Sequence, residues 1–157
     1  MRARGLERRH WSNLARMLGF ESLESTNMTL AQLIEMKLFE GAKLDVIKSV
    51  SEIAMKEYAI KTTLDGLEQE LRTIEFTVAK YKDYGSQPTY VMKGLDELMT
   101  GFEEYTMKVV SLKTNAFAKA FGERILKIER EFRTIVDVLD EWIKTQKSWI
   151  YLEPIFS

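Results

Sequence analysis

Over most of the chain the hydrophobic positions repeat every 3.5 residues, and one stretch repeats every two. The most regular run comes last. Phe121, Ile125, Ile128, Phe132, Ile135, Leu139, Trp142, Gln146 and Trp149 advance in alternating steps of four and three, the signature of one face of a long helix lying along a partner. Charged residues between Arg124 and Lys144 take the other face. At 1.5 Å per residue the rod is about 45 Å long, and Trp142 is expected to be buried in it.

A second run covers residues 43 to 74. Val46, Val50, Ile53, Ile60, Leu64, Leu67, Leu71 and Ile74 form its seam, widened by Ile47, Ala54 and Tyr58, and only Glu57 interrupts it. A third runs from 94 to 113 through Leu95, Leu98, Phe102, Tyr105, Val109 and Leu112. Two short helices precede these. In the first, Trp11, Leu14, Ala15 and Leu18 share a face and Gly19 is the stop. In the second, Thr29 and Gln32 have capping-box spacing, Leu30, Leu33, Ile34 and Leu38 form the apolar face, and Gly41 is the expected end. Asn115 is placed to cap the segment after "KT".

Residues 75 to 93 break this rhythm. Phe76, Val78 and Lys80 alternate with Thr77 and Ala79, "KDYGSQP" has turn chemistry, and "TYVMK" makes a second short run. This predicts a β-hairpin, which needs the helices to lie on because an isolated hairpin is marginal in water. The expected fold is mainly α, an elongated bundle of long antiparallel helices with a small hairpin insert at about residues 75–93. Residues 1–157 read as a single helical domain.

Composition narrows the function classes. Basic and acidic residues nearly balance, 23 against 24, which disfavours nucleic-acid binding through bulk charge. Arg2, Arg4, Arg8 and Arg9 concentrate positive charge at the start. A phosphate-binding arm competes there with the plainer reading of solvated charge at a helix entry. The absence of cysteine excludes disulfides and thiolate metal sites, and no apolar run is long enough to span a membrane.

Candidate chemistry is sparse. The eight glycines form no phosphate-loop spacing. Glu7 and His10 make one Glu-x-x-His, but a di-metal bundle needs paired motifs and the chain has one histidine. His10 therefore reads as a helix-surface or capping residue. Glu103–Glu104 and Asp140–Glu141 are adjacent, so they do not face each other on a helix. The eight methionines and the aromatic stripe read as core. No catalytic, cofactor or metal residue is assigned.

The closing stretch "DEWIKTQKSWIYLEPIF" resembles a segment of dynein heavy chains that lies in the linker, N-terminal to the motor ring. The matching positions are Trp142, Gln146, Trp149, Tyr151, Leu152, Glu153, Ile155 and Phe156. Arg9, His10 and Trp11 resemble the opening of the same region, and "FTVAKYKDYGSQPTYVMKGLDEL" resembles its two strands leading into a helix. The "YKD" and "KG" pieces look more axonemal than cytoplasmic. Ile74 and Glu75 stand where many members place a tryptophan, a departure that bears on how the hairpin is anchored.

The resemblance implies a fragment of a much larger motor chain. It would be a non-catalytic mechanical lever coupling ATP-driven changes of the ring to microtubule-based movement. Its partners would be the rest of the linker and the AAA+ ring, with microtubules reached only through the parent motor. ATP and Mg would belong to that ring, and the location would be cytoskeletal, in a ciliary or flagellar axoneme. No nucleic acid or membrane partner is expected. The competing reading is a free-standing helical interaction or oligomerisation module.

Overall fold

The computed structural model describes residues 5–21, 23, 29–38, 40–84 and 87–156. The elements are α1 (Arg8–Leu18), α2 (Leu30–Glu35), α3 (Gly41–Thr73), β1 (Thr77–Tyr84), β2 (Gln87–Lys93), α4 (Leu95–Lys113), a 3-10 helix (Ala116–Phe121) and α5 (Gly122–Phe156). The fold is mainly α with one two-stranded antiparallel hairpin. The chain divides into two compact units, residues 1–63 and 64–157.

In the first unit, α1 packs on the first half of α3. Leu14, Ala15, Leu23 and Val50 form the core, and Trp11, Leu18, Phe20, Met36, Val46 and Ile47 pack against it. Gly19 ends α1 in the left-handed region, its N–H donating back to Ala15 and Arg16, as glycine does at a helix C-terminus. Gly5 is needed for a second reason. Its φ is +103°, and an added Cβ would lie 2.5 Å from the Tyr58 Cβ and 2.8 Å from the Ala54 carbonyl oxygen. Thr29 caps α2 by accepting from the Gln32 N–H, and Gln32 accepts in return from the Thr29 N–H. On the α2 face Leu38 is buried while Ile34 is 61% exposed. The side chains of Leu30 and Leu33 lie outside the described residues, as do Arg2 and Arg4.

Gly41 does not end α2. That helix stops at Glu35, and Gly41, at φ +50°, opens α3. The sequence signal was a real break whose direction is ambiguous, since a left-handed glycine can close one helix or precede another.

In the second unit, α4 packs antiparallel on α5. Phe102, Val109, Leu112, Ile125, Ile128, Phe132 and Leu139 are buried. Phe132 lies at the centre, its ring stacked 5.2 Å from Tyr105 and edge-on 6.1 Å from Phe102. Asn115 caps the 3-10 helix, its Oδ1 accepting from the Phe117 N–H at 2.9 Å. Arg124 of α5 donates to Asp65 (2.5 Å) and Glu68 (2.7 Å) at the end of α3. The hydrogen bond from Arg124 lowers the Glu68 pKa, and the same bond raises that of Arg124.

Two packing expectations are corrected, and the faces of the hairpin are assigned. Trp142 is not buried: it is 53% exposed, because α4 covers α5 only as far as Leu139 and the seam then passes to the hairpin. Phe76, Val78 and Tyr90 face outward at 46%, 59% and 59% exposure, whereas Val91 is buried and Ala79 and Tyr81 are partly covered. Finally, Met17, Met55 and Met107 lie on the surface rather than in the core.

Candidate functional sites

Both units use one polar residue, set in an otherwise apolar helical seam, to hold a second element. In the first unit that residue is Glu57, the interruption in the α3 seam. Its side chain is only 14% exposed, and its Oε2 accepts from Arg9 Nη2 at 2.6 Å and His10 Nε2 at 2.8 Å. His10, 6% exposed, accepts on Nδ1 from the Glu7 backbone N–H at 2.9 Å. A ring nitrogen that accepts cannot carry the proton, so the proton sits on Nε2 and is donated to Glu57. Arg9 and Lys61 also pair with the two Glu7 oxygens, at 3.2 and 3.3 Å. The arrangement is a clasp between the start of α1 and the middle of α3. His10 does cap the helix, but it is buried rather than on the surface. Trp11 packs beside it against the core. Glu57 was visible in the sequence as a break; its partners were not, because they lie about fifty residues away.

In the second unit the residue is Gln146 on α5. Its amide takes both backbone groups of Met92 on β2: Oε1 accepts from the Met92 N–H at 2.8 Å, and Nε2 donates to the Met92 carbonyl at 3.0 Å. Trp142, one turn earlier, donates from its indole N–H to the same Oε1 at 3.3 Å. Trp149 meets the Tyr81 ring edge-on at 5.5 Å. Glu153, its side chain 7% exposed, pairs with Lys82 at 3.0 Å. These four α5 residues step by four, three and four along one face, so the helix presents them to the hairpin as a row.

β1 meets that row because of a bulge. Lys80 pairs with Tyr90, yet Lys82 pairs with Thr89, leaving Tyr81 as the extra residue. Successive side chains in a regular strand point to opposite faces. A bulge relaxes that rule, and here the neighbours Tyr81 and Lys82 both reach α5. The Lys82 ammonium also lies 5.2 Å from the centre of the Tyr81 ring.

The other motif residues are not drawn into this contact. Tyr151, Leu152, Ile155 and Phe156 are 76%, 44%, 66% and 83% exposed. Beside the row, β2 and α5 border an open groove of about 680 Å³ lined by Thr89, Tyr90, Val91, Val138, Trp142 and Thr145, with Asp137 and Glu141 among its walls. Among the described residues no cluster of three His, Asp or Glu side chains is placed to hold a metal ion, and no helix is long and apolar enough to cross a membrane.

The family described as "Dynein heavy chain, N-terminal region 2" matches residues 1–157. The chain belongs to the dynein heavy chain family. It is 35% identical over its full length to human "Dynein axonemal heavy chain 1" and 34% identical to the mouse protein. Over 153 residues it is 27% identical to human "Dynein axonemal heavy chain 3". It spans about 4% of the length of each of these relatives. The heavy chain family thus supplies the frame in which the two clasps have to be understood, and the similarity is of the axonemal type.

Proposed function

We propose that this dynein heavy chain segment is a non-catalytic part of the linker, a lever that couples ATP-driven changes of a motor ring to movement along microtubules. The observation that carries the reading is the α5 face, where Gln146, Trp149 and Glu153 fasten the hairpin to a 35-residue helix. A lever must move as a body without shedding its parts. Apolar contact between a helix and a hairpin allows sliding. A side-chain amide bonded to both backbone groups of one strand residue fixes position along the helix, since either bond alone has a narrow range of geometry. Glu57 gives the first unit the same kind of lock.

In this reading ATP and Mg bind in ring modules elsewhere in the heavy chain. The direct partners are the rest of the linker and the AAA+ ring, and microtubules are met only through the whole motor. The axonemal relatives support a location in the cilium or flagellum.

The test separates chemistry from transmission. In a full-length axonemal heavy chain, Gln146 and Trp149 are both replaced by alanine, and ATP hydrolysis and microtubule gliding are measured on the same preparation. Hydrolysis that persists while gliding slows severalfold supports the lever. Gliding that keeps pace with hydrolysis, although amide exchange shows the hairpin released from α5, sinks it.

A further inference from the structure

His10 is the one histidine of the chain, and it is buried with both ring nitrogens engaged. Nδ1 accepts from the Glu7 backbone N–H at 2.9 Å, and Nε2 donates to Glu57 Oε2 at 2.8 Å. The charged groups around it come from two elements. Glu7, at the head of α1, and Arg9 face it from one side, and Glu57 and Lys61 of α3 from the other. Two carboxylates meet two cations there, so the surroundings of the neutral ring carry no net charge.

A proton changes the two ring contacts in opposite senses. The place left for it is the Nδ1 lone pair, which is the pair that holds the Glu7 N–H. An imidazolium donates at both nitrogens, so two N–H groups would then face each other and that bond is lost. Turning the ring over does not restore it, since either nitrogen now brings a hydrogen. The Glu57 contact survives and gains charge. Glu57 also accepts from Arg9 at 2.6 Å, so it keeps the ring and the guanidinium together on α3.

The start of α2 shows the same arrangement without a titrating group. Gln32 stands at the third helical position there, as His10 does in α1, and accepts from the Thr29 N–H at 2.8 Å. An amide gives that bond at any ordinary pH. Histidine makes it conditional.

We propose that His10 is a proton-operated latch on the turn that opens α1. Neutral, it ties the Glu7 backbone to Glu57; protonated, it keeps Glu57 and drops Glu7. What is released is a seated piece of chain. Gly5, two residues earlier, runs so close to α3 that an added Cβ would lie 2.8 Å from the Ala54 carbonyl oxygen. The core of Leu14, Ala15 and Val50 is not part of the latch and stays packed. The device belongs to the first unit and stands whether or not the chain works as a lever.

The test is an NMR titration of the 157-residue chain from about pH 7.5 to about pH 5.5, the range in which imidazole takes its proton. The His10 ring nitrogens and the exchange of the Glu7 amide with water are followed together, with exchange corrected for its intrinsic dependence on pH. The Nε2–H tautomer is expected at the upper end. Glu7 exchange should then rise about tenfold, the worth of one hydrogen bond, in step with the ring, while the Val109 and Ile128 amides keep their protection. His10→Gln, which transfers the Gln32 arrangement, should leave the Glu7 amide equally protected at both ends. A ring that takes its proton while Glu7 stays protected would overturn the latch. So would a ring that stays neutral throughout, or an Nδ1–H tautomer at the upper end. The same release in His10→Gln would assign it to the Glu7 and Glu57 carboxylates and overturn the latch as well. If that variant loses its fold, the titration of the unaltered chain decides by itself.

Discussion

The two halves of α5 carry one sequence rhythm and meet different fates. From Ile125 to Leu139 the seam is aliphatic and aromatic, buried at Ile125, Ile128, Phe132 and Leu139 and half-buried at Ile135, with α4 packed on the helix. From Trp142 onward the same steps continue, but the seam turns to Trp, Gln and Trp and faces a hairpin two strands wide. A helix covers a seam with side chains along its whole length. A hairpin covers it mainly at a few points, through backbone groups and the odd aromatic ring. The second half therefore needs polar side chains where the first needs methyl groups. A heptad pattern shows that a helix has a partner, and the chemistry of the seam positions shows what kind of partner it is.

The largest expected effect lies in the first half. Phe132→Ala removes a ring that is 1% exposed and should cost about 3–5 kcal/mol in denaturant unfolding of the 157-residue chain. A cost comparable to that of Trp142→Ala would erase the distinction between the halves. Next is Gln146→Ala, which leaves the Met92 N–H and carbonyl without their partner and should cost about 1–3 kcal/mol. Its effect should be local, with amide exchange accelerated in β2 and unchanged in the α4–α5 core. Uniform acceleration would mean that the hairpin and the core are one cooperative body.

Trp142→Ala should cost under about 1 kcal/mol, since the ring is half exposed and gives up one peripheral hydrogen bond. A loss of several kcal/mol would mean that the groove is covered in solution. The smallest effect is electrostatic. Arg124 lowers the Glu68 pKa, so this group adds stability above the ordinary carboxylate range and loses it as pH falls through the lowered value. With the Glu68 side chain about one-third exposed, the increment is under about 1 kcal/mol. Glu68→Gln should flatten that part of the acid limb in pH-dependent unfolding, and an unchanged limb would show that the pair contributes nothing.

Most of the fold could be read from spacing alone. The hairpin, the long helices, the Thr29–Gln32 box and the Asn115 cap depend on neighbours within a few residues, and such local rules are written in the sequence. The errors came where the deciding contact is distant. Trp142 looked buried because the seam pattern does not show where α4 stops. Glu57 stood out as a polar break and Gln146 only as a member of the seam, and their partners lie 47 and 54 residues away, a distance no periodicity spans. Of the residues taken from the family resemblance, Arg9, His10, Gln146, Trp149 and Glu153 fall directly on the two clasps.

Gln146 also bears on how these molecules behave when crowded. A strand whose outward N–H and carbonyl groups are unpaired is a template on which another strand can add. At Met92 the glutamine amide already occupies both groups, as a one-residue substitute for a third strand. Removing it would uncover the rim of β2 next to Tyr90 and Val91, a short β-prone stretch that resists stacking poorly. The side chain that fixes the hairpin on α5 thus also covers the point on the strand rim where another strand would otherwise add.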